Sequence, residues 1–286
     1  MKLIDFITEK KKEKVVFIAF SFKKKNLEKL LPDAVFVDWP DVSIKNGQIF
    51  IGSDNINAFS FIFLGLCGDN ERKFILVKEY IEKSKTASLV YGSSLSMNNK
   101  LLQTFRFAES KLDQPKTVIG NASTLKASEL VKDLGLPIIS KILDGSQGRG
   151  VEKHTTRTAL TKFLEDNAKK DFIFQEFIPN DGDIRAFFFK GELLFAIKRV
   201  AKTKGEFRNN VSLGGTQEFV ELSEGAKKTA QKVNNVFSDL DFTGVDIIQH
   251  KTNKRWYVLE INSAPQFINK DDLVIPKIVD FIKKGT

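Results

Sequence analysis

The runs Gly244-Val245-Asp246-Ile247-Ile248 and Val258-Leu259-Glu260-Ile261-Asn262 set three oxygen-bearing side chains inside otherwise apolar, β-forming sequence. Phe242 to Gln249 and Arg255 to Ile261 read as the two strands of a hairpin about Thr252-Asn253. Side chains at i and i+2 share a strand face, so Glu260 and Asn262 point the same way. A turn centred near Asn253 puts Asp246 beside Glu260, to within about one residue. Two carboxylates and an amide oxygen then converge. Neighbouring like charges repel, and desolvating them is costly unless a cation is present. Magnesium takes hard oxygen ligands and leaves positions open for water and phosphate. The trio Asp246, Glu260 and Asn262 therefore reads as a magnesium-phosphate site, and loss of one carboxylate is expected to relieve repulsion in the metal-free chain. The plain alternative is a solvated sheet face with three unrelated polar residues; flanking Val245, Ile247, Leu259 and Ile261 argue for burial.

Working outward, the loop Asp144-Gly145-Ser146-Gln147-Gly148-Arg149-Gly150 follows a strand, Pro137 to Ile142, that carries Lys141 near its end. Backbone amides freed by glycines can wrap a phosphate, and a nearby ammonium adds charge. No Gly-Lys-Ser/Thr follows, so this is not a Walker loop, and an ordinary loop accounts for the pattern at least as well. A second hairpin, Ile184 to Phe189 and Leu193 to Val200, turns at Lys190-Gly191. Asp183 and Arg185 share a face of it, and counting across the turn places Asp183 near Lys198. A surface salt-bridge ladder explains that pair equally well. Phe207-Arg208-Asn209-Asn210 precedes Gly214-Gly215. The planar fork of Arg208 suits phosphate oxygens, and a solvated loop arginine accounts for that residue alone equally well.

The first third alternates short apolar runs with amphipathic stretches, as α/β lobes do. Strands are expected at Val15 to Phe20, Ala34 to Val37, Phe59 to Leu64 and Leu89 to Tyr91. Helices are expected at Asn26 to Leu31 and Glu71 to Glu82. A helix capped near Ser96 or Asn98 runs over Lys100 to Glu109. A strand at Thr117 to Ile119, a helix at Ser123 to Leu134 closed by Gly135, and a strand at Phe172 to Phe177 follow. Helices at Ser223 to Leu240 and Leu273 to Lys284 complete the set. The first third thus reads as an α/β lobe, and the second half as more β-rich.

Composition bounds the function. The 286 residues hold 45 Lys plus Arg against 36 Asp plus Glu, a net charge of +9. That suits an anionic partner such as nucleotide phosphates, an acidic peptide or RNA, or simply keeps the protein soluble. No basic block interleaved with aromatics reads as a nucleic-acid stripe. The one cysteine, Cys67, and two histidines, His154 and His250, exclude an internal disulfide framework and Cys- or His-rich metal clusters. Cys67 ends an apolar run and reads as a core residue. Met1 to Lys14 lacks the apolar core of a signal peptide, and no stretch is long enough to span a bilayer as a helix, so a cytoplasmic protein with no membrane partner is expected.

Taken in order, Gly145-Ser146-Gln147-Gly148, Gln175-Glu176-Phe177-Ile178, Asp183-Ile184-Arg185, Phe207-Arg208-Asn209-Asn210, Gly244-Val245-Asp246-Ile247 and Glu260-Ile261-Asn262 resemble the RimK-type branch of the ATP-grasp superfamily, the glutamate-adding ligases. The resemblance covers roughly Lys100 to Pro265. It implies a pre-ATP-grasp α/β lobe over 1–95 followed by an α+β ATP-grasp fold over 96–286, with lobes of about 96–178 and 179–286 that hold ATP between them. Lys100 and Lys141 would contact ATP phosphates, as would the loop Gly145, Ser146, Gln147 and Gly148. Glu176 and the Phe177 backbone would read the adenine edge, and Asp183 would face the ribose. Arg208, with Asn209 and Asn210, would address the transferring phosphoryl and the acyl phosphate. Asp246, Glu260 and Asn262 would hold Mg2+, with Mn2+ able to substitute.

The implied activity is ADP-forming ligation of a carboxylate to an amine through an acyl phosphate, with catalysis by Arg208, Asn210 and Lys141. The acceptor would be a peptide, an acidic protein tail or a small molecule, and a homo-oligomer is open. Where the family has Asn-Ala-Ser-Pro-Gly this chain has Asn262-Ser263-Ala264-Pro265-Gln266; Arg149 follows Gly148; Ser140 and Ile142 flank Lys141. These departures leave the acceptor and the added amino acid unassigned. Two rival classes stand beside the ligase: a non-catalytic ATP-binding regulator on the same fold, and a basic RNA- or peptide-binding protein.

Overall fold

The computed structural model describes residues 14–22, 24–92, 99–143, 150–202, 215–267 and 270–285. The chain divides into two units, Met1–Ser94 with Gln266–Thr286 and Leu95–Pro265. The last helix, assigned from the sequence to the second domain, thus belongs with the first.

In the first unit the elements run β1 (Val15–Ile18), α1 (Lys24–Leu30), β2 (Val35–Val37), β3 (Val42–Lys45), β4 (Gln48–Ile51), β5 (Asp54–Asn55), β6 (Phe61–Leu64), α2 (Glu71–Ser84) and β7 (Ala87–Val90). A parallel sheet has the order β2-β1-β6-β7. Every residue of β1 and β6 is buried, which is why both are continuous apolar runs. One face packs on Phe74, Val77 and Ile81 of α2. The other carries a cluster of rings, with Phe17 4.9 Å from Phe36 and 5.4 Å from Phe63. Phe281 of the last helix reaches Phe61 on that face, at 6.3 Å. Strands β3, β4 and β5 form an antiparallel meander that the sequence reading lacked. Its first turn, Asn46-Gly47, has φ of 50° and 76°, the conformation that an Asn-Gly pair supports in a two-residue hairpin.

The second unit holds α3 (Lys100–Glu109), β8 (Thr117–Asn121), α4 (Ala127–Leu134), β9 (Ile138–Ile142), β10 (Val151–His154), α5 (Arg157–Asp166), β11 (Asp171–Glu176), β12 (Asp183–Phe189), β13 (Glu192–Val200), β14 (Thr216–Phe219), α6 (Glu224–Val236), β15 (Phe242–Gln249) and β16 (Trp256–Asn262); α7 (Asp271–Gly285) is the last helix named above. The cap of α3 is Asn99, beside the expected Asn98: its Oδ1 accepts the amides of Leu101 and Leu102 at 2.8 and 3.4 Å. Helix α4 starts at Ala127, later than expected, because Asn121 folds Ser123 and Thr124 into a turn first. Two antiparallel sheets result, ordered β10-β9-β11-β8 and β14-β13-β12-β15-β16. Helices α4 and α5 cover the first through Leu130, Leu134, Leu160 and Phe163. On the second sheet, Ala186, Phe188, Val245, Ile247, Val258 and Ile261 pack against Ala226, Ala230 and Val233 of α6 and Phe107 of α3. Alternation sends Asp183, Arg185 and Asp246 to the opposite face. Among the described residues no helix is long and apolar enough to cross a membrane.

Two bulges set the register of that second sheet. Phe187 pairs with Phe195 and Phe188 with Leu193, leaving Leu194 as an extra residue. The shift puts Arg199, not Lys198, opposite Asp183. Likewise Ile247 pairs with Val258 and Asp246 with Glu260, leaving Leu259 over. Gly244 sits two residues before Asp246 on the same face, where a Cβ would lie 2.7 Å from Cβ of Pro265 and 3.4 Å from Cδ of Arg185. Gly244→Ala is expected to lower stability by about 1–3 kcal/mol through overpacking, read as a lowered denaturant midpoint.

Candidate functional site

The face opposite α6 is built around a chain of alternating charge. Arg185 donates from Nε to Asp246 Oδ1 and from Nη2 to Asp246 Oδ2, both at 2.6 Å. Arg199 bridges the two aspartates, from Nε to Asp183 Oδ1 at 2.6 Å and from Nη2 to Asp246 Oδ2 at 2.8 Å. At the open end Glu260 Oε1 lies 3.6 Å from Arg185 Nη2 and accepts from Asn262 Nδ2 at 3.2 Å. Asp183, Arg199 and Asp246 are buried, whereas the Glu260 side chain keeps 37% of its surface exposed. Burial alone would push the Asp246 carboxyl up, but Arg185 and Arg199 hold it well below the usual carboxylate range. For Asp183, burial and the nearby Asp246 outweigh Arg199 and Arg185 and push it up to about 6.

This arrangement corrects one expectation. The apposed carboxylates of Asp246 and Glu260 do not face each other uncompensated, because Arg185 from the neighbouring strand β12 bonds the first and stands 3.6 Å from the second. The expected repulsion is neutralised within the sheet.

Lys141 on β9 brings a further charge to the carboxylates. Burial pushes its ammonium below the ordinary value; Glu260 and Asp246 oppose that shift and Lys100 adds to it. Lys100 heads α3 and donates from Nζ to the Leu143 carbonyl at the end of β9, at 3.0 Å. Lys100 on α3 and the carboxylates of Glu260 and Asp246 thus all act on the charge of Lys141. Ser140, beside Lys141, is buried, and its hydroxyl meets His154 Nε2 at 2.9 Å, which accounts for a polar residue at that strand position. At the end of β11, Glu176 Oε1 accepts the Lys116 amide at 2.9 Å, and the Phe177 amide donates to the Pro137 carbonyl at 3.1 Å. Lys153 Nζ stands 3.5 Å from the centre of the Phe177 ring. Asp183, expected to face a ribose, spends its carboxylate on Arg199. Gly145, Ser146, Gln147, Gly148, Arg208, Asn209 and Asn210 lie outside the described residues.

As a donor set, Asp246, Glu260 and Asn262 offer only hard oxygen ligands at one end of adjacent strands, which fits a divalent cation such as Mg2+. Such an ion at Asp246 has to share the carboxylate with Arg185 and Arg199. Among the described residues no group of three or more His, Cys, Asp or Glu side chains could hold a metal. Sequence reasoning missed Arg199, which a bulge brings in, and Gln103 on α3, which binds the backbone of Ile261. The signal for Gln103 was present: a polar side chain one turn before Phe107 on the buried face of an amphipathic helix.

Residues 97–276 match the family model described as RimK-like ATP-grasp domain. A probable alpha-L-glutamate ligase of Aliivibrio fischeri (strain MJ11) is 36% identical over 169 residues, 54% of this chain and 54% of that protein. Another, from Vibrio atlanticus (strain LGP32), is 32% identical over 204 residues, covering 67% of this chain and 65% of that one. The chain thus spans about half to two thirds of the length of these curated relatives. Among solved structures, the ATP-grasp ligase PsnB complexed with minimal precursor, Mg and ADP superposes with a TM-score of 0.69 at 17% identity, over 96% of this chain and 97% of that one. That likeness is one of fold.

Asp246→Asn is expected to cost about 3–5 kcal/mol, since it leaves the buried Arg199 and the part-buried Arg185 short of a counter-charge; chemical denaturation measures it. For Asp183 the sign is the reverse of the usual carboxylate. Its folded value of about 6 exceeds the unfolded value of about 4, so between them the folded chain holds the extra proton. Its stabilising contribution is complete below pH about 4 and is lost as pH rises through 6. Stability of the wild type should fall across that window relative to Asp183→Asn, in denaturant midpoints taken from pH 4 to 7.

Proposed function

Because the chain belongs to the RimK-like ATP-grasp family, we propose that it is an ADP-forming ligase that activates a carboxylate as its acyl phosphate and joins it to an amine. The observation that carries this reading is the set of oxygen donors Asp246, Glu260 and Asn262 at one end of the paired strands β15 and β16, beside the charge of Lys141. Two ammonium groups that disfavour each other gain from a polyanion set against them, and the adjoining carboxylates gain from a cation beside it. A triphosphate with its divalent ion answers both needs.

In this reading Lys100 and Lys141 neutralise phosphate oxygens of ATP, and the glycine loop Gly145 to Gly148 donates backbone amides to them. Glu176 and Phe177 stand at the adenine. Asp246, Glu260 and Asn262 hold Mg2+, which when bound neutralises charge on the phosphates. Arg208 meets the developing charge as the γ-phosphoryl moves to the carboxylate, and Asn210 orients the acyl phosphate. The amine then attacks the acyl carbon and phosphate leaves. Positioning and charge neutralisation supply the acceleration, and no covalent enzyme nucleophile takes part.

For the substrates, the names of the relatives point to glutamate as the added amino acid. The net charge of +9 suits an acidic peptide or protein tail as acceptor, and the precursor held by PsnB is a parallel for a peptide in that role. The test is a screen of amino acids against acidic peptides for ADP release, followed by mass spectrometry of the product. An amide adduct with ADP formed in equal amount supports the ligase. Nucleotide binding without ADP release under any pair points to a regulatory module. Binding of RNA that weakens steeply with salt and ignores nucleotide points to the basic binding protein. Glu260→Gln should cut ADP release at least about 100-fold, as loss of a metal ligand costs no less than loss of its outer partners. Its unfolding midpoint should stay near that of the wild type, because Glu260 is part-exposed and lies outside the buried lattice.

A further inference from the structure

We propose that Gln103 is a positioning residue for the cation site, holding Glu260 and Asn262 in place by binding the peptide groups of the residue between them. Gln103 lies on α3, three residues past Lys100, and is 5% exposed. Its Nε2 donates to the Ile261 carbonyl at 2.9 Å, and its Oε1 accepts the Ile261 amide at 3.1 Å. A side-chain amide with both a donor and an acceptor on one residue acts as a short stretch of neighbouring strand.

Strand β16 needs such a partner because it is the edge of its sheet, where outward backbone groups have no strand to pair with. Its outer side is met at two points, Val258 by the Asp113 carbonyl at 2.8 Å and Ile261 by Gln103. These points are three residues apart rather than the regular two, which is what the extra residue Leu259 between them produces. Without the bulge, the pairing of Ile247 with Val258 would continue as Asp246 with Leu259. A one-residue slip turns every side chain beyond it to the other face, so Glu260 would leave Asp246 and Asn262 would turn with it. Gln103 matches only the bulged register, since it engages both groups of Ile261 where they point outward. The helix that presents Lys100 at the phosphates thereby also sets the carboxylate strand.

This inference rests on the proposed cation site, and its test separates the two. Mn2+ binding to the full chain with a non-hydrolysable ATP analogue is measured by electron paramagnetic resonance, beside thermal unfolding. Gln103→Leu keeps the bulk and removes both hydrogen bonds; Gln103→Glu can still accept the Ile261 amide but cannot donate to its carbonyl. Mn2+ affinity is expected to fall about 10- to 100-fold in Gln103→Leu and by less in Gln103→Glu, with metal-free affinity for the analogue unchanged. A lowered unfolding temperature with undiminished Mn2+ affinity would mean a merely structural role and overturn the proposal. Should Gln103→Leu fail to fold, Gln103→Glu decides by the same comparison. A wild type that takes up no Mn2+ with the analogue would instead overturn the cation site itself, and this inference with it.

Discussion

Asp183 and Asp246 are buried on one face of a β-sheet, and a buried carboxylate survives as an ion only beside fixed positive charge. Arg185 and Arg199 supply that charge, and the four groups form a chain, Arg185–Asp246–Arg199–Asp183, across the sheet. Each arginine reaches its partner only in one register. The extra residue Leu194 brings Arg199 opposite Asp183, and the extra residue Leu259 brings Glu260 opposite Asp246. Charge compensation and strand register are therefore one requirement, and a slip in either hairpin would strand an ion away from water.

This chain of charges also orders the site by exposure. Asp183 and Arg199 are sealed and structural in character. Asp246 joins them to the outer pair, Glu260 and Asn262, of which Glu260 is open to solvent. Lys141 and Lys100 come from the other sheet and from α3, and the lowered affinity of Lys141 for its proton marks a charged group that burial leaves under-compensated. A second anion set against it would restore the balance. Small residues serve the same end: Gly244 leaves room for Pro265 and the stem of Arg185 to close over the strand below Asp246.

Much of this was legible without coordinates. The strands of both long hairpins, the helix over Lys100 to Glu109 and the pairing of Asp246 with Glu260 follow from period-two alternation, a capping asparagine and a turn at Thr252-Asn253. The meander β3 to β5 was legible too, since Asn46-Gly47 is a strong hairpin signal, but its short strands sit among polar residues that blur the alternation. The helix α5 and strand β10 left weaker traces. The pairing of Asp183 was misjudged by one residue because a bulge has no local signature at Leu194 that differs from an ordinary strand leucine.

By itself the sequence determined which chemistry could be present: oxygen donors, lysines and arginines spaced along strands and loops in an order that resembles the RimK-type ATP-grasp ligases. Local periodicity encodes that much, because it depends on neighbours within a few residues. Only the tertiary structure decided which charges meet. Arg199 rather than Lys198 faces Asp183, arginine rather than repulsion lies between the carboxylates, and a helix 158 residues away grips the strand between Glu260 and Asn262. Those outcomes follow from the register of paired strands and the docking of a helix on a sheet edge. Both are set by distant partners competing for the same hydrogen bonds, which no stretch of chain contains within itself.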